Sequence, residues 1–426
     1  MYRNLILITI DALRYDYFNK YVFRRTFKTL KDATIFKNAY AQSSSTPPSF
    51  VSIFTSTYPL VLGYSKLSYH VVTLAEILKE HNFMTCGITH NPYHSVAYGY
   101  DRGFDLYYDF RVKERSFYEI LNMYGLKSLV RILLEYSSHK LIYRSEKPYF
   151  SAEVLTSLAK YVLRKFKKDK IERFFLWIHY MDLHAPITFP SIRKQLLFDY
   201  DNAQFEDRTV ITELYRRQAE ELDRCLGEFL ATLEDLHLME STVIVITSDH
   251  GEELFDHGMY GHWPRFYEEL IHIPLLIRAP SVLTKKVFEG FVEHVDILPT
   301  LIHLLGLRIN NKLMKQIMGI NIVDLVYGSY NKGYVISELG HVDPKHVVKE
   351  EYYRWCVRTK IWKLIYWPSR GKVILYNLAR DPQERINIAQ ENRDIVESLV
   401  EVLRNHIRKE ISRRISIKLK DKIMNF

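Results

Sequence analysis

Cysteine is nearly absent from this chain. Cys86, Cys225 and Cys356 lie far apart, are odd in number and show no metal-ligand spacing. That excludes a disulfide framework and a zinc ribbon, and it leads us to expect buried thiols in a reducing compartment. Long apolar runs are also missing, for none reaches the roughly 18 residues of a membrane-spanning helix. No basic region precedes a cleavable apolar segment, since Met1 stands three residues before a strand-like run; the expected location is therefore cytoplasmic. Sixteen glycines and fourteen prolines in 426 residues, without repeats, exclude collagen-like and low-complexity classes. No zinc finger or other nucleic-acid module is recognisable.

What is present is enough apolar residue, 47%, to bury a large core, and an excess of positive charge, +9. Such an excess suits an anionic substrate, a nucleic acid or a membrane surface. Much of it falls in Arg404 to Lys422, where Ile407, Ile411, Ile415 and Leu419 recur every four residues. That is the pattern of an amphipathic basic helix. It would pack on the body of the protein, the arrangement we favour, or make peripheral contact with an anionic membrane.

Strand-like runs at 5–10, 34–39, 84–89, 174–180, 242–248 and 273–278 alternate with helical patterns at 47–56, 73–81, 152–167, 208–236 and 296–305. The alternation predicts an α/β fold, a doubly wound, mainly parallel sheet with helices on both faces. Residues 106–150 interrupt it, and Val112 to Lys147 reads as a helical insertion over the site or at the surface. After about 330 short aromatic strands at hairpin spacing predict a smaller antiparallel sheet, closed by a helix from Asn392 to Ile407. The expected organisation is a catalytic domain over 1–330 and a C-terminal subdomain over 331–426.

Two of the apolar strands end in metal-ligand chemistry. Leu5 to Ile10 delivers Asp11, and Thr242 to Thr247 runs into Ser248-Asp249-His250-Gly251-Glu252; strand ends are where open α/β sheets build their sites. Between them, Thr46 opens a helix in Gln42-Ser43-Ser44-Ser45-Thr46-Pro47-Pro48-Ser49-Phe50. Proline suits the first helical turn, and a helix start favours an anion. Carboxylates and an imidazole holding a divalent cation beside a hydroxyl would suit metal-assisted attack on a tetrahedral ester. Each residue alone reads equally as a cap or a turn former.

On these residues the chain resembles the sulfatase and alkaline phosphatase superfamily, from about residue 3 to about residue 405. Ile8 to Asp16 is similar to its first metal-binding strand, Thr46 to Pro59 to its nucleophile loop and helix, and Ser248 to Leu254 with His257-Gly258 and Gly261-His262 to its second metal motif. Val295 to Leu301 and Tyr376 to Glu384 are typical of sulfatase-like chains. The resemblance implies a small C-terminal subdomain and a metal-dependent hydrolase acting on a small anionic ester. It places Thr46 on the cysteine that sulfatases mature to formylglycine, and Phe50 on the arginine of the same pattern. Threonine cannot become formylglycine, so phosphoester chemistry through a phospho-threonine is expected; a sulfatase lacking formylglycine and a phospho-group transferase are the alternatives. A catalytically silent protein that binds an anionic ligand or membrane is the reading outside enzymology.

The implied metal set is Asp11, Thr46, Asp249 and His250. Ala12 stands where many sulfatases carry a second Asp, which weakens a calcium site and favours Mn²⁺ or Zn²⁺, with Mg²⁺ and Ca²⁺ open. A second metal would draw on Asp182 and His257, with His179 and His262 as further candidates. His184, in a His-x-Pro segment, and Asn91 are the expected substrate contacts. His262 falls where sulfatases often carry a lysine, and would protonate the leaving group. His272 is expected to be a satisfied core histidine.

Overall fold

The computed structural model describes residues 2–62, 67–109, 150–185, 207–328, 330–340 and 350–424. An eight-stranded sheet is built from β1 (Asn4–Ile10), β2 (Thr34–Tyr40), β3 (Met84–Thr89), β4 (Leu106–Tyr108), β5 (Phe174–Tyr180), β6 (Thr242–Ser248), β9 (His272–Arg278) and β10 (Val287–Glu293). Between β6 and β9, β7 (Glu253–Leu254) and β8 (Tyr260–Gly261) form a two-stranded ribbon. The order across the large sheet is β10-β2-β9-β6-β1-β5-β3-β4. β9 runs antiparallel to both neighbours, and every other pairing is parallel, so the mainly parallel sheet expected from the alternation is present.

β1, β5 and β6 are buried along their whole length, as strands covered on both faces must be. Alternate residues of β1 enter different cores. Ile6, Ile8 and Ile10 pack with the helices Ala152–Lys168 and Arg208–Asp235, while Leu5 and Leu7 pack with Thr46–Thr55, Leu74–Glu80 and Ile297–Leu304. This is the period-two geometry of a pleated strand between two helical layers.

β11 (Tyr334–Leu339), β12 (Arg354–Thr359), β13 (Trp362–Trp367) and β14 (Lys372–Asn377) form the antiparallel C-terminal sheet. Its core residues Ile336, Trp355, Val357, Leu364 and Leu375 are shared with Tyr58, Leu60 and Val295 of the larger unit and with Leu399, Val400 and Leu403 of the terminal helix. Lys332 ties the join, with Nζ 2.8 Å from Glu293 Oε2 and 2.6 Å from Asp296 Oδ2.

Two expectations change, and a third is not tested. Leu106–Tyr108, inside the stretch expected to interrupt the order, is an edge strand parallel to β3, too short to show a period in the sequence. Val112 to Lys147 lies outside the described residues. The terminal helix runs on from Arg393 to Met424, yet its isoleucine stripe does not all pack: Ile407 lies against the core, whereas Ile411 and Ile415 are exposed. A spacing of four on a 3.6-residue helix drifts by about 40° per step, so the stripe rotates off the face that Leu399, Leu403 and Glu410 bury. All three cysteines are buried free thiols, and no described helix is long and apolar enough to cross a membrane.

Candidate active site

β6, β1, β5 and β3 are consecutive and parallel, so their carboxyl ends emerge at one edge. The registers bring Ile10 level with both Ser248 and Tyr180, and Thr89 level with His179. Residues distant in sequence thereby meet: Asp11 after β1, Asp249 and His250 after β6, Asn91 after β3, and His179 within β5.

The turn after Asp11 is strained. Ala12 has φ of 60°, a left-handed conformation that costs a residue bearing a Cβ about 1 kcal/mol. It is held by its neighbours: its N–H donates to Asp249 Oδ1 at 3.3 Å, and its carbonyl accepts from the Tyr215 hydroxyl at 2.7 Å. Gly251 serves a different need. A Cβ there would stand 1.9 Å from the Glu269 carbonyl oxygen, so only glycine lets the chain leave His250 at this angle.

Thr46 opens its helix after Ser45, whose backbone is extended, and it is buried. Its Oγ1 donates to Asp11 Oδ2 at 3.2 Å and lies 3.2 Å from His250 Nε2. The tautomer of His250 follows from its other nitrogen. Nδ1 lies 2.8 Å from the Gly251 carbonyl, which can only accept, so Nδ1 carries the hydrogen and Nε2 presents its lone pair to the site. Asn91 Nδ2 donates to Asp11 Oδ2 at 3.0 Å, and His179 Nε2 lies 3.4 Å from the same oxygen.

Asp11, Asp249 and His250 bring one ligand atom each within 4.8 Å of one another. His250 Nε2 is 3.6 Å from Asp11 Oδ1 and from Asp249 Oδ2, and both of those buried carboxylate oxygens lack a hydrogen-bond partner. Burial and then the adjacent Asp11 push the Asp249 carboxyl well above its ordinary value. Burial works in the same direction on Asp11, but the ring of His184, His179 and His250 overrides it and holds Asp11 low. Burial, then His262, depresses His250 to about 3. Two dry carboxylates with idle oxygens facing a neutral imidazole fit a divalent cation.

His262 stacks over this group, its ring 4.4 Å from His250 and 4.8 Å from His184. Glu252 Oε1 lies 3.4 Å from its Nδ1. Burial opposes the charge on His262, but Glu252 prevails and raises it to about 9. The site thus sets a protonated imidazole against His250, one of the three residues that could hold a cation.

A family comparison decides what this arrangement belongs to: the description "Sulfatase" matches residues 3–307. The chain belongs to the sulfatase family. A second description, "N-sulphoglucosamine sulphohydrolase, C-terminal", matches residues 255–412. Arylsulfatase K of Bos taurus is 25% identical over 256 residues, covering 58% of this chain and 45% of the relative; the Homo sapiens protein is 25% identical over 255 residues, with the same coverage. The match thus spans about half the length of these curated relatives. Among solved structures, the phosphonate monoester hydrolase of Agrobacterium radiobacter superposes with a TM-score of 0.74 at 19% identity, covering 97% of this chain and 96% of its own. The enzyme of the same name from Silicibacter pomeroyi gives 0.72 at 18% identity, covering 96% of each chain. At these identities the structures establish a shared fold and nothing finer.

In this sulfatase-family chain the structure brings together Asp11, Thr46, Asn91, His184, Asp249, His250 and His262. It does not assemble the pair named for a second metal. Asp182 Oδ1 accepts from the Ala152 N–H at 3.0 Å, at the start of the helix Ala152–Lys168. His257 pairs instead with Glu269 at 2.6 Å and with the Gln383 carbonyl at 2.8 Å. The reason is directional: the residue after β5 that reaches the centre is on the strand itself, His179, not in the turn beyond it. His272 is sandwiched between Tyr15 and Tyr40 and bonded to the Lys37 carbonyl at 2.7 Å; it is satisfied as expected, but it is half-buried at the start of β9 rather than in the core.

Phe50, expected on the family's arginine position, is fully buried against His94, His179 and Trp177, so that corner of the site is aromatic rather than cationic. Sequence reasoning gave no role to Glu252 or His94. Glu252 carried a signal, three residues beyond Asp249 in the same motif; His94 carried none, since it enters only by the fold of the segment after β3.

Proposed function

We propose that this chain is a metal-dependent ester hydrolase that cleaves a phosphoester through a covalent intermediate on Thr46. One observation carries the reading: a hydroxyl that cannot be matured to an aldehyde occupies the helix start, 3.2 Å from both Asp11 Oδ2 and His250 Nε2. A divalent cation held by Asp11, Asp249 and His250 would lower the pKa of that hydroxyl and neutralise charge developing on the transferred group. Mn²⁺ and Zn²⁺ suit the mixed oxygen and imidazole shell.

The roles of the side chains follow from their placement. Thr46 Oγ1 passes its proton to Asp11 Oδ2, 3.2 Å away, and attacks phosphorus; the bond to the leaving oxygen breaks, and His262, held protonated by Glu252, supplies the proton that oxygen needs. Asn91 and His179 fix the Asp11 carboxylate, and His184 contacts the anionic group from the far side of His262. Water then gives a proton to the now neutral His262 and attacks phosphorus, the bond to Oγ1 breaks, and Asp11 returns the proton to Thr46 as inorganic phosphate or a phosphomonoester departs. The N-terminal turn of the Thr46–Thr55 helix adds positive potential to the transferred anion.

Sulfate-ester hydrolysis is the second reading, and the similarity to arylsulfatase K favours it. A sulfo-threonine has no aldehyde to collapse to, so water would have to attack it directly, which makes this route the slower. A panel of nitrophenyl phosphate monoesters and diesters and nitrophenyl sulfate, run across Mn²⁺, Zn²⁺, Mg²⁺ and Ca²⁺, separates the two. Turnover of the phosphate esters at least tenfold above the sulfate supports the proposal; the reverse order rejects it.

A further inference from the structure

The end of the chain builds a second convergence of metal-ligating side chains, outside the candidate active site. Glu338, in β11, is fully buried. His406 and Glu410 stand one turn apart on the terminal helix, the spacing that puts two side chains on one face. His406 Nε2 lies 2.8 Å from Glu338 Oε1 and 3.4 Å from Glu410 Oε1, and the three ligand atoms lie within 4.8 Å of one another. The other oxygen of Glu338 is already used, accepting the Leu60 N–H at 3.0 Å. The Tyr58 ring closes one side, edge-on to His406 at 4.4 Å.

Hydrogen bonding leaves this cluster incomplete. One ring nitrogen faces two carboxylates and carries at most one hydrogen, so it can satisfy only one of them. Glu410, 5% exposed, has its Oε1 aimed at the cluster without a hydrogen-bond partner. Two buried carboxylates also exceed the single positive charge a protonated imidazole can offer, so without an ion one of them must take up a proton, because an uncompensated buried charge is costly. A divalent cation meets both needs at once, since it engages both carboxylates and the imidazole lone pair together.

We propose that Glu338 Oε1, His406 Nε2 and Glu410 Oε1 form a second, structural divalent-cation site, best suited to zinc, that clamps the terminal helix to β11 and to the segment following the nucleophile helix. Tetrahedral zinc with bonds of about 2.0–2.1 Å spaces its ligand atoms about 3.3 Å apart, and the observed 2.8 and 3.4 Å bracket that value. Water would complete the coordination. Binding exchanges the imidazole proton for the ion, so uptake releases a proton to solvent. The ion would link the short helix Pro59–Leu62, through Leu60, to the C-terminal sheet, and so brace the segment after the helix that Thr46 begins.

Metal counting tests this without turnover, so it stands or falls separately from the Thr46 reading. The full chain carrying Asp11→Asn and Asp249→Asn, which removes two carboxylate ligands from the candidate active site, is loaded with zinc, passed through gel filtration and assayed by mass spectrometry of the metal. We expect one zinc per chain, falling to none when Glu410→Gln is added, and a chelator-induced drop in thermal midpoint that the added substitution abolishes. His406→Gln replaces Glu410→Gln if the latter does not fold. No retained zinc in the doubly substituted chain, or zinc unchanged after either third substitution, overturns the proposal and leaves a cluster neutralised by protons alone.

Discussion

Thr46→Ala is the perturbation on which the chemistry turns, and its two effects differ by orders of magnitude. The hydroxyl makes one hydrogen bond to Asp11 Oδ2 at 3.2 Å, and that oxygen keeps Asn91 at 3.0 Å when the hydroxyl is gone. A hydrogen bond to an ionised carboxylate contributes about 1.5–3 kcal/mol net, so the folded chain should lose about 2 kcal/mol and keep Asp11, Asp249 and His250 in place. The catalytic loss is of another size. Without the nucleophile only direct attack by water remains, and removing the attacking group of a covalent enzyme costs on the order of 10⁴–10⁶ in rate, or about 5.5–8 kcal/mol of barrier. The assay is kcat/KM on nitrophenyl phosphate esters beside thermal midpoint and bound metal for wild type, Thr46→Ala and Thr46→Ser. The serine variant keeps the hydroxyl and should stay within about tenfold of wild type, while rapid quenching of the wild type should trap phosphate on the peptide holding Thr46. An alanine variant within tenfold of wild type, with its metal intact, would refute the nucleophile assignment.

Further outcomes follow from the same geometry. Chelation should abolish turnover and lower thermal stability, because the idle buried oxygens of Asp11 and Asp249 then face each other without a cation; activity should return with Mn²⁺ or Zn²⁺, and full activity in the chelated chain would contradict the ligand trio. Glu252→Gln removes the partner that lifts His262 to about 9. A proton donor works below its pKa, so wild-type turnover should fall as pH rises through about 9, and the variant's basic limb should shift down towards the ordinary value of about 6.5; an unmoved limb rules out His262 as the donor. Lys332→Met strands Glu293 and Asp296 in the interior and should cost about 3–5 kcal/mol, read as a lower urea midpoint, with an unchanged midpoint counting against the bridge. Asn91→Ala frees Asp11 Oδ2 of a donor and should lower kcat more than it raises KM; a pure KM effect would return Asn91 to direct substrate contact.

The sequence by itself determined the frame. β1 and β6 are apolar runs covered on both faces, and a strand buried on both faces announces itself by composition alone, together with the polar residue at which it stops. Asp11, Thr46, Asp249 and His250 were legible for that reason, each marking a local event, a strand end or a helix start. Only the tertiary structure decided what depends on direction and register. β9 is as apolar as its neighbours, and nothing in its residues says that it runs against them. His179 reaches Asp11 because β5 lies beside β1 in a particular register, Glu252 reaches His262 because β7 and β8 fold the intervening loop back, and Asp182 turns away to the Ala152–Lys168 helix. Ile411 and Ile415 share a sequence stripe with Ile407, but 3.6 residues per turn carries them off the core. Local chemistry is written in neighbouring residues; which distant side chains meet is set by strand order and helix phase, and no stretch of sequence contains those.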